Sequence, residues 1–588
     1  MQNMFRKFSG LLALLALVLS GPVMADGEEA EKFRQIYEKE WSFRLEEYPG
    51  LASYVGIGGT PDRLTQVSEQ DQRRRYDFWK GIRSELAGIS CERLEREDCI
   101  NYRIFTRQMD NFLAEYEIKA YLVPFNSDSG FYMTWGQMPS RTRFSNIQDY
   151  RNYLSRLHEL PVVMDQYIEL MRRGVKEGIT QPAVVLEGRD QPIKAQLVDS
   201  YQDSPFFAPF TKIPETVAAG EKAELLATAE KVVNEDVIPA FQRLYDFFHQ
   251  EYVPGARESL AASELPGGKR FYQAQVSKYA TVDMSPAEIH QIGREQVARI
   301  RSEMQQIIEE VEFDGDFDAF LEFLRTDPQF YAKTAKELLA FASYYTKKID
   351  GRLPSMFGHL PRQPYGVAPV PDELAPFYTV GRYSGAPLDA RRGGYYWVNT
   401  YALESRPLYT IPALTLHEAA PGHHTQSALA KEQSEKPPFR RFDYISAYGE
   451  GWALYAEKLG VEMDIYETPY EHFGRLTYEM WRACRLVIDT GIHAMGWTRE
   501  QALDYLKSNT ALSLHAVTTE IDRYISWPAQ ALSYKLGEYT IWQLRNKAEQ
   551  DLGEDFDIRA FHDFLLSLGS VPLDVLRDEV NHWIAQQG

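Results

Sequence analysis

The sequence predicts a mainly α fold with one small β element. Three observations carry this. Apolar residues return at helical spacing in several long segments, helix-start chemistry is explicit at Ser285, and strand character is concentrated in one aromatic stretch near residue 397. The chain has 588 residues, 44% of them hydrophobic and 13% aromatic, which is enough for a large core.

The first residues read as a leader rather than as fold. Arg6 and Lys7 precede the apolar run Leu11–Leu19, and Val23 and Ala25 stand at the −3 and −1 positions of a cleavage point before Asp26. A secretory signal over residues 1–25 is therefore expected. The apolar run is shorter than the ~18 residues of a membrane span. No cysteine follows the cleavage point, so no lipid anchor is expected. The mature chain is expected to be exported, periplasmic or secreted, without stable membrane association. Net charge is −20, from 64 basic and 84 acidic residues, with no dense Lys/Arg block, which argues against nucleic acid as a partner. Cys91, Cys99 and Cys484 are too few and too scattered for a cysteine-type zinc site. In an oxidising compartment Cys91 and Cys99 can close a small loop, leaving Cys484 free and buried in a helix.

Leu154, Leu157, Met164, Ile168 and Met171 form one helical stripe, which Gly174 and Gly178 are expected to end. Ser285-Pro286-Ala287-Glu288 is a capping box with proline at the first helical position, so a helix runs from there past Ile300. Residues 352–394 are rich in Pro and Gly and read as a long irregular connection, a usual place for function. Tyr395–Thr400 is the strand. Leu476, Met480, Ala483 and Val487 mark another helix, and Leu503 and Leu506 a shorter one. From Ile521 the chain reads as helix again, broken at Pro528 and Gly553.

The chemistry concentrates at Leu416–Gln426, "LHEAAPGHHTQ". His417-Glu418 opens like the zinc motif H-E-x-x-H, in which two histidines one helical turn apart hold one ion and the glutamate faces its water. Position 421 is instead Pro421, and the next histidines are His423 and His424. Two ring nitrogens on one zinc lie within ~4 Å of each other, whereas seven residues of straight helix rise ~10.5 Å. Pro421 and Gly422 supply the remedy, because proline breaks the helix and glycine accepts unusual dihedrals. A third ligand is expected on a following helix. In "AYGEGWALYAE", Glu450 and Glu457 lie roughly on one face, and Glu450 is preferred because Gly449 and Gly451 let backbone approach closely.

"HEAAPGHHTQ", "EGWALYAE", "DTGIHAMGW" (Asp489–Trp497), "EIDRYISWPAQALSYKLGE" (Glu520–Glu538), "GGYYWVNT" and "IRAFHDFLL" resemble, in the same order, the bacterial family called domain of unknown function 885. That family is grouped with gluzincin-type metallopeptidases. The resemblance implies a zincin-like helical fold with a deep central cleft and a small β element beside the metal. It also implies one domain over 26–588, either undivided or in two lobes flanking the cleft. The family pattern keeps the histidine directly after Pro-Gly, which favours His423 over His424. A fainter similarity to angiotensin-converting-enzyme-type peptidases, through His515 and Arg523-Tyr524, implies Tyr524 as oxyanion donor with His515 as a second candidate.

The expectation is thus a zinc-dependent peptidase acting on short peptides. One zinc ion per chain is held by His417, His423 and Glu450, and Glu418 serves as general base. Tyr396, Val398 and Asn399 on the strand are expected to pair with an extended substrate. Arg482 and Arg485 are candidates for a substrate carboxylate, and His493, four residues after Asp489, for a further catalytic group. The competing reading is a non-catalytic exported peptide-binding protein, against which Glu418 stands, since a binder needs no base beside a ligand.

Overall fold

The computed structural model describes residues 23–56, 61–127, 129–372, 375–386 and 392–587. Most of the expected leader lies outside them. No helix among the described residues is long and apolar enough to cross a membrane. The chain is mainly α with one three-stranded sheet, as the periodicity predicts.

The elements that matter below are labelled in chain order: α1 (Ile147–Glu177), α2 (Pro286–Glu310), α3 (Ala335–Met356), α4 (Ile411–Glu418), α5 (His423–Glu432), α6 (Ser446–Glu462), α7 (Pro469–Met495), α8 (Arg499–Asn509), α9 (Leu514–Ser526) and α10 (Ser533–Leu552). The strands are β1 (Tyr365–Pro369), β2 (Gly381–Ser384) and β3 (Gly394–Val398). The Ser285 hydroxyl accepts from the Glu288 amide and Glu288 answers the Ser285 amide, so the capping box opens α2 as read. Gly178 closes α1 at φ 70°, but Gly174 lies inside that helix and does not end it. Cys91 and Cys99 are disulfide-bonded, and Cys484 is free and buried in α7.

The supposed irregular connection contains β1 and β2. At five and four residues, with glycine and proline in them, they were too short to show an alternating pattern. Sheet order is β1-β3-β2, with β3 parallel to β1 and antiparallel to β2. β3 is therefore central, and β2 forms an edge.

Buried apolar side chains fall into three cores. One joins the N-terminal helices to α6, α10 and the C-terminal helices, a second surrounds α2, α7, α9 and the sheet, and a third is built on α1 and the helices after it. α4 runs along the seam of the first two: Leu416 packs into the first core, Ile411 and Leu414 into the second. Every residue of α4 is buried, so the His417-Glu418 pair is held by packing on both sides. α6 and α10 touch backbone to backbone, since a Cβ on Gly451 would stand 2.5 Å from the Gly537 Cα.

α7 is buried along most of its length although it carries Arg475, Glu479, Arg482, Arg485 and Asp489. Apart from Asp489, which meets only the Tyr272 hydroxyl and the Ala529 amide, its charges are matched. Glu479 accepts from Arg475 at 2.6 Å, from Lys535 of α10 at 2.8 Å, and from Arg299 of α2. Such a network specifies how three helices fit together more than it adds net stability, because desolvation offsets most of the Coulomb gain.

Candidate metal centre

The helix carrying His417 stops one residue later. Ala419 takes φ −95° and ψ −123°, and a new helix begins at His423. Between them the Gly422 amide donates to the Leu416 carbonyl at 3.0 Å and the His424 amide to the Ala419 carbonyl at 3.1 Å. The Trp452 indole of α6 donates to the Pro421 carbonyl at 2.8 Å and pins the turn from below. A Cβ at Gly422 would overlap the His417 carbonyl oxygen, so glycine is required there.

This interruption brings His423 back over His417, with ring centroids 4.8 Å apart and planes at 90°. Glu450, in the second turn of α6, completes the group: its Oε2 lies 3.5 Å from His417 Nε2 and 3.3 Å from His423 Nε2. One donor atom from each of the three residues lies within 4.8 Å of the others. A tetrahedral zinc with bonds of about 2 Å holds its ligand atoms about 3.3 Å apart, so the two measured separations suit a shared ion.

The surroundings orient these groups. Glu457 Oε1 lies 2.7 Å from His417 Nδ1, which fixes the ring with Nε2 toward Glu450 and His423. The Tyr444 hydroxyl donates to Glu450 Oε1 at 3.1 Å, leaving Oε2 for the centre. The Tyr383 amide, on the outer edge of β2, donates to Glu418 Oε2 at 2.7 Å. Burial opposes a charge on His417, but hydrogen bonds and charges from Glu450 and Glu457 outweigh it and raise its pKa to about 10. Burial also works against ionised Glu450, and the two histidines nonetheless hold it well below the usual carboxylate range. Two imidazoles, one carboxylate and an outer carboxylate on the imidazole are a donor set that fits zinc.

His424 is turned away from this group. Its Nδ1 meets the Tyr383 hydroxyl at 3.1 Å, its ring packs on Tyr365, and burial pushes its pKa down to about 4.

Several sequence expectations need correction. Tyr396 and Val398 are fully buried in the central strand, and Asn399, just past its end, is buried too, so none is free to pair with a substrate. Asn399 Nδ2 instead donates to the carbonyls of Ala375 and Tyr378 at 2.9 and 3.0 Å. His493 is not oriented by Asp489. It accepts from the Ala262 amide at 3.0 Å and donates to the Tyr524 carbonyl at 2.8 Å, as a core clamp. Asp489 serves the Tyr272 hydroxyl and the Ala529 amide. The Tyr524 hydroxyl is buried, accepts from Trp481 Nε1 and Arg485 Nε, both at 2.9 Å, and hydrogen-bonds the Glu520 carboxylate, so its proton is already engaged away from an oxyanion. His515 is exposed on the first turn of α9. Arg485 also pairs with Glu520 at 2.9 Å, and Arg482 lies over Trp481 with its Nη2 3.9 Å from Glu457. Both are parts of the buried frame. Sequence reasoning missed the orienting role of Glu457, which it weighed only as a rival ligand, and the parts played by Tyr383 and Tyr444. The one available signal was the seven-residue spacing of Glu457 from Glu450 on a helix face.

A family model described as a bacterial protein of unknown function, DUF885, matches residues 49–580. The structure is similar to a candidate lipoprotein from Colwellia psychrerythraea, with 28% identity, a TM-score of 0.87, and coverage of 96% of this chain and 99% of that one. A candidate lipoprotein of unknown function from Shewanella oneidensis shares the fold at 20% identity and a TM-score of 0.68, over 94% of this chain and 99% of that one. No curated protein matches.

Proposed function

The chain belongs to the bacterial family of unknown function DUF885, and for this member we propose a zinc-dependent peptidase that acts outside the cytoplasm on short peptides. The observation that carries the reading is the convergence of His417, His423 and Glu450 around one point, with the carboxylate of Glu418 next in sequence to the first ligand. When bound, zinc supplies a Lewis acid for the scissile carbonyl and makes a water acidic enough to attack near neutral pH.

The chain's own groups do the rest. Glu418, held by the Tyr383 amide, takes a proton from the attacking water and returns it to the leaving amine. Glu457 holds the His417 tautomer and Tyr444 holds the Glu450 rotamer. Because the Tyr383 amide points outward from β2, this edge, rather than β3, is the one beside which an extended peptide would lie. Export is supported by the leader-like first residues, by the Cys91–Cys99 disulfide and by the lipoprotein descriptions of the two structural relatives.

The test is zinc analysis of the purified protein followed by a peptide library with and without chelator. One zinc per chain and chelator-sensitive cleavage are expected. Glu418→Gln should keep the zinc and lose about 10²–10⁴-fold in rate. Full hydrolysis by that variant would refute the role of Glu418, and zinc binding with no hydrolysis by the parent would favour the peptide-binding alternative.

A further inference from the structure

Near the candidate metal centre stands an arginine with no counter-ion among the described residues. Arg382, on β2 immediately before Tyr383, is exposed, lies over the Tyr378 ring at 5.6 Å, and has no ion pair among the described residues. The amide of the next residue, Tyr383, meets Glu418 at 2.7 Å, and the charges of Glu418 and Glu450 act on the Arg382 guanidinium.

We propose that the site takes its peptide by the free C-terminal carboxylate, received by Arg382, and so releases short pieces from the C-terminal end. The inference rests on the peptidase reading above. The strand geometry favours a chain end over an acidic side chain. Tyr383 is the residue whose amide meets Glu418, and β2 ends two residues earlier, at Gly381. At ~3.3 Å per residue, a peptide lying along β2 has support for only one or two residues beyond the catalytic carboxylate before the edge runs out. Arg382 stands along that span, and an arginine fork suits a carboxylate there. The released piece is then one or two residues long.

The test separates binding from hydrolysis. In zinc-loaded Glu418→Gln protein, calorimetry compares a tetrapeptide free acid, its C-terminal amide, and an amide with aspartate at the last position. The free acid should bind at least about tenfold more tightly than either amide. Adding Arg382→Gln should remove that preference, and Arg382→Lys should restore part of it, with circular dichroism and melting temperature unchanged as evidence of folding. Equal binding of acid and amide, a preference that survives Arg382→Gln, or tight binding of the aspartyl amide would overturn the proposal. In the parent enzyme, mass spectrometry should show loss of C-terminal pieces from N-acetylated peptides, with amidation raising KM far more than it lowers kcat. Rapid cleavage within amidated peptides would overturn the carboxylate proposal while leaving the peptidase reading intact. Failure to hydrolyse any peptide would sink the peptidase reading, and the calorimetry would still decide the carboxylate claim.

Discussion

Glu457 shows how a buried side chain acquires a role that its own segment does not announce. It lies on α6 seven residues after Glu450, is 1% exposed, and meets His417 Nδ1 at 2.7 Å. Glu457→Gln keeps the volume and removes the charge that steadies the imidazole. Zinc affinity, measured by competition with a chromophoric chelator, should fall about 10–100-fold with the fold intact. An unchanged affinity would mean that the contact is only packing. Tyr444→Phe removes a single hydrogen bond to Glu450 and should cost less in the same assay. At the level of single residues, His417, Glu418, His423 and Glu450 were legible because spacing and the Pro-Gly break constrain them locally. Tyr524 and His493 were not, since the groups that occupy them, Trp481, Arg485 and Ala262, come from distant segments.

Among the elements, the broken helix and the close pair of α6 and α10 carry the most consequence. The break follows from residues adjacent in sequence, Pro421 and Gly422, and could be read in advance. The contact between α6 and α10 could not, because Gly451 and Gly537 lie 86 positions apart and a glycine does not reveal its neighbour. Gly537→Ala should force α6 away from α10 and, with it, Glu450 from the histidines. A loss of about 1–3 kcal/mol in denaturant unfolding, together with weaker zinc binding, is expected. Stability and zinc affinity both at parental values would contradict the backbone contact. The sheet was half legible. β3 shows aromatic and β-branched residues, but its central place depends on β1 and β2, which have too few residues to declare themselves. The strand expected to be open to a substrate is therefore one flanked on both sides.

For the molecule as a whole, pH dependence follows from groups buried without charge. His493 and His562 are pushed down to about 3 by burial, each with both ring nitrogens engaged. Their folded pKa lies below the unfolded value of 6.5, so the stability they contribute is present above that pH and is lost as pH falls toward 3, at about 1.4 kcal/mol per unit for each. Asp489 works the other way. Burial raises it from 3.8 to about 7 against the Tyr272 and Ala529 hydrogen bonds, so its contribution is present at low pH and is lost as pH rises through about 7. Two histidines outweigh one aspartate, and the melting temperature should fall between pH 6.5 and 4. Asp489→Asn, which removes the opposing group, should make that fall steeper. A flatter profile in the variant would show that the sign for Asp489 is wrong.

The most direct measurement is diffraction from crystals of the zinc-loaded protein at wavelengths on either side of the zinc absorption edge. A single anomalous peak per chain, within bonding distance of His417 Nε2, His423 Nε2 and Glu450 Oε2, is the expected result. No peak there, or a peak on His424 or elsewhere in the chain, would contradict the metal centre and the peptidase built on it.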